Sequence, residues 1–305
     1  MKILITGASG LLGKYLLQIL PPGYEVIATC HKNMTGLLEK PNWAINWRQL
    51  DVREWWSVFE IFEIFKPEIT IHCAAIGSVD YAEKNYQEVK LVNYTGTKNV
   101  MDAANGYKSK LVYISTNAVY AGDKPPYDEE SILSPVNNYG TIKAIAERLI
   151  KDQAKNWLII RPFMLYGFPY PGGRTNWVIH IIETLLQDKI VNVVNDIVWQ
   201  PTYAYDCADA IWKLLETDNT IYNVAAHDSV TLYEFALEVA RIFELDESLI
   251  NPVDSNFFTS LVKRPRNSSY DLSKINSLGI ELDNIGNGLK RMKDEMEDKY
   301  KKDTK

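Results

Sequence analysis

Short apolar runs alternate with amphipathic stretches through the first half of this chain. Lys2–Thr6 is an apolar run of strand length, and Leu11–Leu20 carries helical periodicity until Pro21-Pro22 stops it. Tyr24–Thr29 and Ala44–Leu50 read as the second and third strands, followed by a helix over Glu54–Phe65 and a fourth strand over Glu68–Cys73. Leu91–Asn105 is helical in pattern, with Gly106 as its expected cap. Lys110–Ser115 is a fifth strand, Asn138–Gln153 a helix and Trp157–Arg161 a sixth strand. Strands alternating with helices at this spacing predict an α/β fold with a doubly wound parallel sheet and right-handed crossovers.

The rhythm breaks after Arg161-Pro162. Phe168–Gly173 is a Pro/Gly/aromatic loop, and Asn176–Leu186, Cys207–Leu215 and Leu232–Phe243 read as helices. From Lys290 the chain is rich in Lys, Glu and Asp, which predicts a solvated helix that frays. The expected division is a dinucleotide-binding unit over 1–165, with 190–222 returning to it. A smaller, mainly helical substrate lobe, 166–189 and 223–305, is expected over the carboxyl edge of the sheet, where open α/β sheets bind ligands.

With 305 residues the chain is long enough for such a sheet and lobe, and its net charge of −6 argues against a nucleic-acid partner. Cys30, Cys73 and Cys207 are odd in number and far apart, which fits a reducing compartment. They share no metal-ligand spacing with His31, His72, His180 or His227, so no metal site is expected. No run reaches the length of a membrane span and no signal-type h-region is present, so a cytoplasmic protein with no membrane partner is expected.

Candidate chemistry begins at the first turn. Gly7-x-x-Gly10-x-x-Gly13, between a strand and a helix, is the pattern of a Rossmann dinucleotide turn: one glycine for the tight turn, one for close approach of a pyrophosphate, one for helix–strand packing. Free N–H groups at the helix start would meet the phosphate, which brings Ser9, Leu11 and Leu12 into the site. The acid expected after the second strand is missing. Cys30-His31-Lys32 stands there, and the basic His31 and Lys32 favour a 2′-phosphate, hence NADPH, with NADH possible. Asp51 either accepts a hydrogen bond from adenine or caps the next helix.

Five Tyr-x-x-x-Lys spacings occur, starting at Tyr86, Tyr94, Tyr120, Tyr139 and Tyr270. Only Tyr139–Lys143 opens a convincing helix after a strand that ends in Ser115-Thr116. Tyrosine titrates near ~10, and an ammonium one helical turn away would lower that value. Thr116 at the strand end could hydrogen-bond the substrate oxygen that Tyr139 protonates.

These motifs resemble the extended short-chain dehydrogenase/reductase superfamily over nearly the whole chain. The resemblance rests on Gly7–Gly13, Leu50-Asp51-Val52, His72-Cys73-Ala74-Ala75, Val92–Asn99, Ser115-Thr116-x-x-Val119-Tyr120, Tyr139-Gly140-Thr141-x-Lys143 and Arg161-Pro162-x-x-x-Tyr166-Gly167. It implies cofactor contacts from Val52, Cys73, Ala74, Ala75, Asn93, Tyr139, Lys143 and Pro162. Within the superfamily the chain is similar to the dTDP-4-dehydrorhamnose reductase family. The similarity lies in Pro67-Glu68-x-x-x-His72, Ser78-Val79-Asp80-x-Ala82-Glu83, Gly122–Tyr127 with Glu129-Glu130, and Arg264-Pro265-Arg266-Asn267-Ser268. It implies NADPH-dependent reduction of the 4-keto group of a nucleotide-linked 6-deoxyhexulose for surface-polysaccharide synthesis, with Thr116, Tyr139 and Lys143 catalytic. Val79, Asn117, Tyr120, Met164, Arg264 and Arg266 are the expected substrate contacts; arginine forks are natural diphosphate clamps. Asn117 stands where the family has Asp and Met164 where it has Trp, so the sugar is left open. Three alternatives stay open: an epimerase retaining NAD, a dehydratase, which Asn117 disfavours, and a non-catalytic regulatory subunit like that of methionine adenosyltransferase. A homodimer is possible.

Overall fold

Seven parallel strands form the central sheet: β1 (Lys2–Thr6), β2 (Glu25–Cys30), β3 (Ile45–Gln49), β4 (Ile69–His72), β5 (Lys110–Ile114), β6 (Trp157–Pro162) and β7 (Thr220–Val224). Their order is β7-β6-β5-β4-β1-β2-β3. The computed structural model describes residues 1–32, 45–258 and 262–303, with side chains as far as residue 297; Ala44 and the adjoining loop lie outside the described residues. The inner strands are largely apolar on both faces because both are covered, whereas the edge strand β3 is half-buried to exposed. Ile3 and Ile5 pack into one layer with α1 (Leu11–Gln18) and the helix Ala204–Leu214. Leu4 and Ile27 face the opposite layer, built by α2 (Trp55–Phe65), α3 (Thr97–Tyr107) and α4 (Asn138–Gln153). The strand order reverses between β1 and β4, so a crevice opens there at the carboxyl ends.

The lobe is held by short pairings. Val191–Val194 pairs with Ile250–Val253, Leu165–Tyr166 with Thr202–Tyr203, and Val198–Trp199 with Val230–Thr231. Of the stretch 190–222, the helix Ala204–Leu214 and the start of β7 join the main sheet's layers, whereas Val191–Val194 pairs within the lobe.

Three elements differ from expectation. The helix expected from Leu91 starts earlier, as Tyr86–Lys90, passes through a π-helical turn at Leu91–Gly96 and continues as α3. It stops at Lys108, which takes a left-handed φ of 59°, so Gly106 lies inside the helix and is not its cap. A helix at Val79–Lys84, capped by the Ser78 side chain, was not anticipated.

The third difference is the C-terminal tail. It belongs to a helix, Ile285–Asp303, whose Ile285, Leu289 and Met292 are buried at helical spacing. Charged residues outnumber this stripe, which is why composition suggested a solvated helix. Glu295 accepts hydrogen bonds from Lys14 Nζ (2.7 Å), Tyr15 Oη (2.6 Å) and Tyr203 Oη (2.8 Å). Arg291 bridges Asp206 and Asp283. The helix therefore clamps α1, the element that follows the glycine turn. Among the described residues no helix is long and apolar enough to cross a membrane. Met292→Ala should cost about 2–5 kcal/mol in denaturant unfolding, whereas Lys290→Ala on the exposed face should stay within about 0.5 kcal/mol.

Candidate active site

The β1–α1 turn is shaped for a group larger than a side chain. Gly7 has φ +66°, and a Cβ there would fall 2.6 Å from the Ala74 backbone. A Cβ on Gly13 would fall 2.5 Å from Ala8. Gly10 is the N-cap of α1 and supplies no side-chain acceptor, so the amides of Leu11 and Leu12 are left for a ligand. Ser9 is half-buried beside them, while the Leu12 side chain is buried in the core. This bare helix start fits a dinucleotide pyrophosphate.

At the far end of the crevice Asp51 is already engaged. Its carboxylate accepts from Arg53 Nη2 at 2.6 Å and lies 3.1 Å from His31 Nε2. The Arg53 hydrogen bond chiefly holds its pKa down at about 2. Asp51 does not cap α2, whose N-cap is Glu54; it turns the chain by accepting from the Arg53 backbone N–H. Arg53, missed from sequence, joins His31 at this carboxylate, and the exposed Lys32 follows His31 in the chain. Val52 is packed against Gly96, and its carbonyl accepts from Asn99.

At the end of β4, His72 is fully buried and neutral, its pKa pushed down to about 3 by burial and then by Lys143. Thr97 donates to Asn93 O, so it accepts from His72 Nε2–H at 3.0 Å, and His72 Nδ1 accepts from Thr6 at 2.7 Å. Asn93, expected to touch the cofactor, spends its side chain on the Ile76 backbone, accepting at 2.8 Å and donating at 3.0 Å. It shapes the loop that carries Cys73, Ala74 and Ala75. Burial pushes the Cys73 thiol up to about 12, so it is not a thiolate.

Tyr139 opens α4. Asn137 caps this helix by accepting from Gly140 N–H at 2.8 Å. A Cβ on Gly140 would lie 2.1 Å from Ala118 O, so only glycine lets α4 back onto the turn that follows Thr116. That approach brings Tyr139 beside the turn that carries Thr116, whose hydroxyl works against the effect of burial on the phenol. Thr116 also accepts from Ala118 N–H. Lys143, one turn on, is buried under the site; its Nζ donates to Ile114 O at 2.5 Å and sits 4.3 Å above the Tyr113 ring.

The electrostatics differ from the simple sequence expectation. Burial raises the Tyr139 pKa; Thr116 and Arg174 oppose it. Burial lowers Lys143 to about 7, against the pull of Glu147 and Cys73. Without a ligand, desolvation dominates both groups, and the lysine is turned to a carbonyl.

Behind the site, Arg161 and Glu147 form a fully buried ion pair at 2.6 Å. Ser115 donates to the same carboxylate, and Arg161 donates to Glu129 O. Tyr120, expected at the substrate, is instead sealed in this network: it is fully buried, donates to Asp128 O at 2.8 Å and accepts from Arg161. Its ring stacks on Tyr127, so no face is left for a sugar.

The lobe side supplies charge. A cleft of about 1520 Å3 is lined by Asp80, Gly122, Trp177, Trp199, Arg264 and Arg266. Thr116 and Tyr139 lie outside its lining. Arg264 pairs with Asp80 at 2.7 Å, whereas Arg266 is mostly exposed and 4.0 Å from Asp196. Asn117 donates to Ser268 at 2.9 Å and thereby ties the turn after Thr116 to the Arg264–Ser268 segment. Val79 is half-buried at the start of its helix, Met164 packs into the core, and Pro162 ends β6 opposite Val224.

Two outcomes test this geometry. The folded-state pKa of Lys143, about 7, lies below its ordinary 10.5, so between those pH values unfolding takes up a proton and stability rises with pH. The unfolding free energy of the cofactor-free protein minus that of Lys143→Met should therefore increase from pH 7 towards 10; a flat difference contradicts the burial argument. Gly140→Ala should cut turnover at least tenfold while circular dichroism stays native, because the added methyl must push α4 off Ala118.

Comparison with known proteins places these features. The RmlD substrate binding domain family matches residues 1–298. The dTDP-4-dehydrorhamnose reductase of Aggregatibacter actinomycetemcomitans is 29% identical over 96% of this chain and 98% of its own length. The spore coat polysaccharide biosynthesis protein SpsK of Bacillus subtilis is 30% identical, covering 92% of each chain. The methionine adenosyltransferase 2 subunit beta of Xenopus tropicalis is 27% identical over 92% of this chain and 83% of its own. Among solved structures, the dTDP-4-dehydrorhamnose reductase of Bacillus anthracis in complex with NADP superposes with a TM-score of 0.85 at 30% identity, covering 96% of this chain and 99% of that one. A glycine turn backed by a bare helix start and a tyrosine–threonine pair at the β5 edge are thus set in a chain that belongs to the RmlD substrate binding domain family.

Proposed function

We propose that this protein reduces the 4-keto group of a nucleotide-linked 6-deoxyhexulose with NADPH, as a dTDP-4-dehydrorhamnose reductase does. The observation that carries the reading is the close approach of α4 at Gly140 to the turn after Thr116, which brings Tyr139 to the carboxyl edge of β5 with Lys143 one turn behind. The glycine turn and the amides of Leu11 and Leu12 would hold the pyrophosphate, and His31, Lys32 and Arg53 would meet a 2′-phosphate. The NADP bound to the Bacillus anthracis relative supports that choice of cofactor. When bound, the reduced nicotinamide supplies a hydride to the carbonyl carbon.

The residues of this chain do the rest. Thr116 donates to the keto oxygen and holds it against Tyr139. The Tyr139 O–H bond breaks as the proton passes to that oxygen, and the phenolate left behind is reprotonated from solvent. Lys143 would exchange Ile114 O for the cofactor ribose, and its ammonium would then favour the phenolate. Arg264 grips the substrate diphosphate after exchanging Asp80 for phosphate oxygens.

The relatives named as methionine adenosyltransferase subunits support a second reading, a regulatory subunit that retains the cofactor site. The two part on turnover. Purified protein should oxidise NADPH only when a nucleotide-linked 4-keto sugar is added, and NADPH should outperform NADH. Tyr139→Phe should lower kcat about 10²–10⁴-fold, the range of general acid catalysis, with NADPH affinity nearly unchanged. Cofactor binding without oxidation across a panel of such sugars rejects the reductase; co-purification with an adenosyltransferase would then support the subunit.

A further inference from the structure

The loop after β6 is pinned at both ends and carries a cation to the catalytic wall. At its start, Phe168 N–H donates to Tyr15 Oη at 3.0 Å, and Lys14 Nζ donates to Phe168 O at 2.8 Å. At its end, Asn176 donates to Gly167 O at 2.5 Å and caps the helix Trp177–Leu185. Between them Gly172, at φ +72°, and the Gly173 N–H bond to Tyr170 O form a tight turn. Arg174 follows that turn.

Arg174 is exposed and, among the described residues, has no acidic partner. Its Nη1 lies 3.8 Å from where a Cβ on Gly77 would sit. Gly77 follows Ile76, whose backbone is fixed by Asn93. Ile76 and Tyr139 pack against the same small apolar cluster of Ala82, Val89 and Ile142. The guanidinium therefore crosses from the lobe to the wall that bears the phenol. A pinned loop ending in an unpaired cation at this wall is more than a solvated arginine needs.

We propose that Arg174 is a positioning residue that acts through Tyr139, stabilising the phenolate formed when the proton leaves. This rests on the reading of Tyr139 as the acid. The groups facing Tyr139 leave this task open. Thr116 offers a neutral hydroxyl, and Tyr113, Tyr86 and Tyr94 are phenols or apolar ring edges. Glu83 accepts from the neighbouring Asn138 N–H and brings negative charge. Lys143, on the same helix, is turned to Ile114 O. Before a cofactor draws Lys143 away from Ile114 O, Arg174 is the cation, among the described residues, whose field opposes the effect of burial on the phenol, and it adds to Lys143 thereafter.

The test reads the phenol directly in substrate-free protein. Replacing Tyr139 by difluorotyrosine brings its ionisation into the range where proteins stay folded, and fluorine NMR gives the midpoint. Arg174→Gln should raise that midpoint by about 0.5–1 pH unit, Arg174→Lys should restore most of it, and added salt should shrink the difference because the arginine is exposed. In turnover with a keto-sugar nucleotide, the basic limb of the kcat/KM profile should move up in Arg174→Gln while KM for NADPH is unchanged. Coincident fluorine titrations in the parent and Arg174→Gln would overturn the proposal. Absence of turnover in the parent would sink the reductase reading while leaving the titration result intact, so the two failures are distinguishable.

Discussion

The ion pair between Arg161 and Glu147 is the constraint on which the site depends. Three elements meet there: Ser115 and Thr116 at the end of β5, Glu147 on α4 and Arg161 on β6. Burying two such charges costs several kcal/mol per ion before pairing, and the cost is offset only if every remaining donor and acceptor is used. Here most are: Ser115 on the carboxylate, Tyr120 Oη and Glu129 O on the guanidinium. A network this demanding admits one arrangement of helix against strands. It thereby fixes where Tyr139 and Lys143, on the same helix as Glu147, meet Thr116.

Desolvation sets the protonation pattern around that frame. The pocket raises the phenol, lowers the lysine and keeps His72 neutral, so burial favours the uncharged form of all three groups. The cations that counter this effect are not built into the sheet. In the proposed reaction they come from outside it: Arg174 on a lobe loop and Lys143 once a cofactor ribose replaces Ile114 O. Burial thereby keeps Tyr139 protonated in the ligand-free protein, as the proposed acid requires.

The lobe shares one apolar core with α1 and a face of the sheet, and polar ties add to that seam. Asn117 to Ser268, Asp80 to Arg264 and Asn137 to Lys263 O link the catalytic wall to the 262–268 segment. The C-terminal helix, through Glu295, links the opposite side of the lobe to α1. Substrate-side and cofactor-side elements are thus each tethered across the crevice.

The parallel sheet and its glycine turn were legible in the sequence because both depend on local pattern: period, run length and glycine spacing. Tyr139 was legible because only one of five spacings lay on a helix after a strand-end hydroxyl. Tertiary structure alone decided what depended on distant partners. Tyr120 sat in a catalytic-looking motif, yet Arg161 and Tyr127 claimed it for the core. Asn93 was taken by the Ile76 backbone, and the tail's sparse Leu289 and Met292 stripe found a groove that composition could not reveal. Arg53 and Arg174 carried no local signal, since a cation acquires meaning only from the group it faces. Periodicity reports which face of an element is buried; it cannot report which side chains will meet there, because those contacts are set by the packing of elements far apart in the chain.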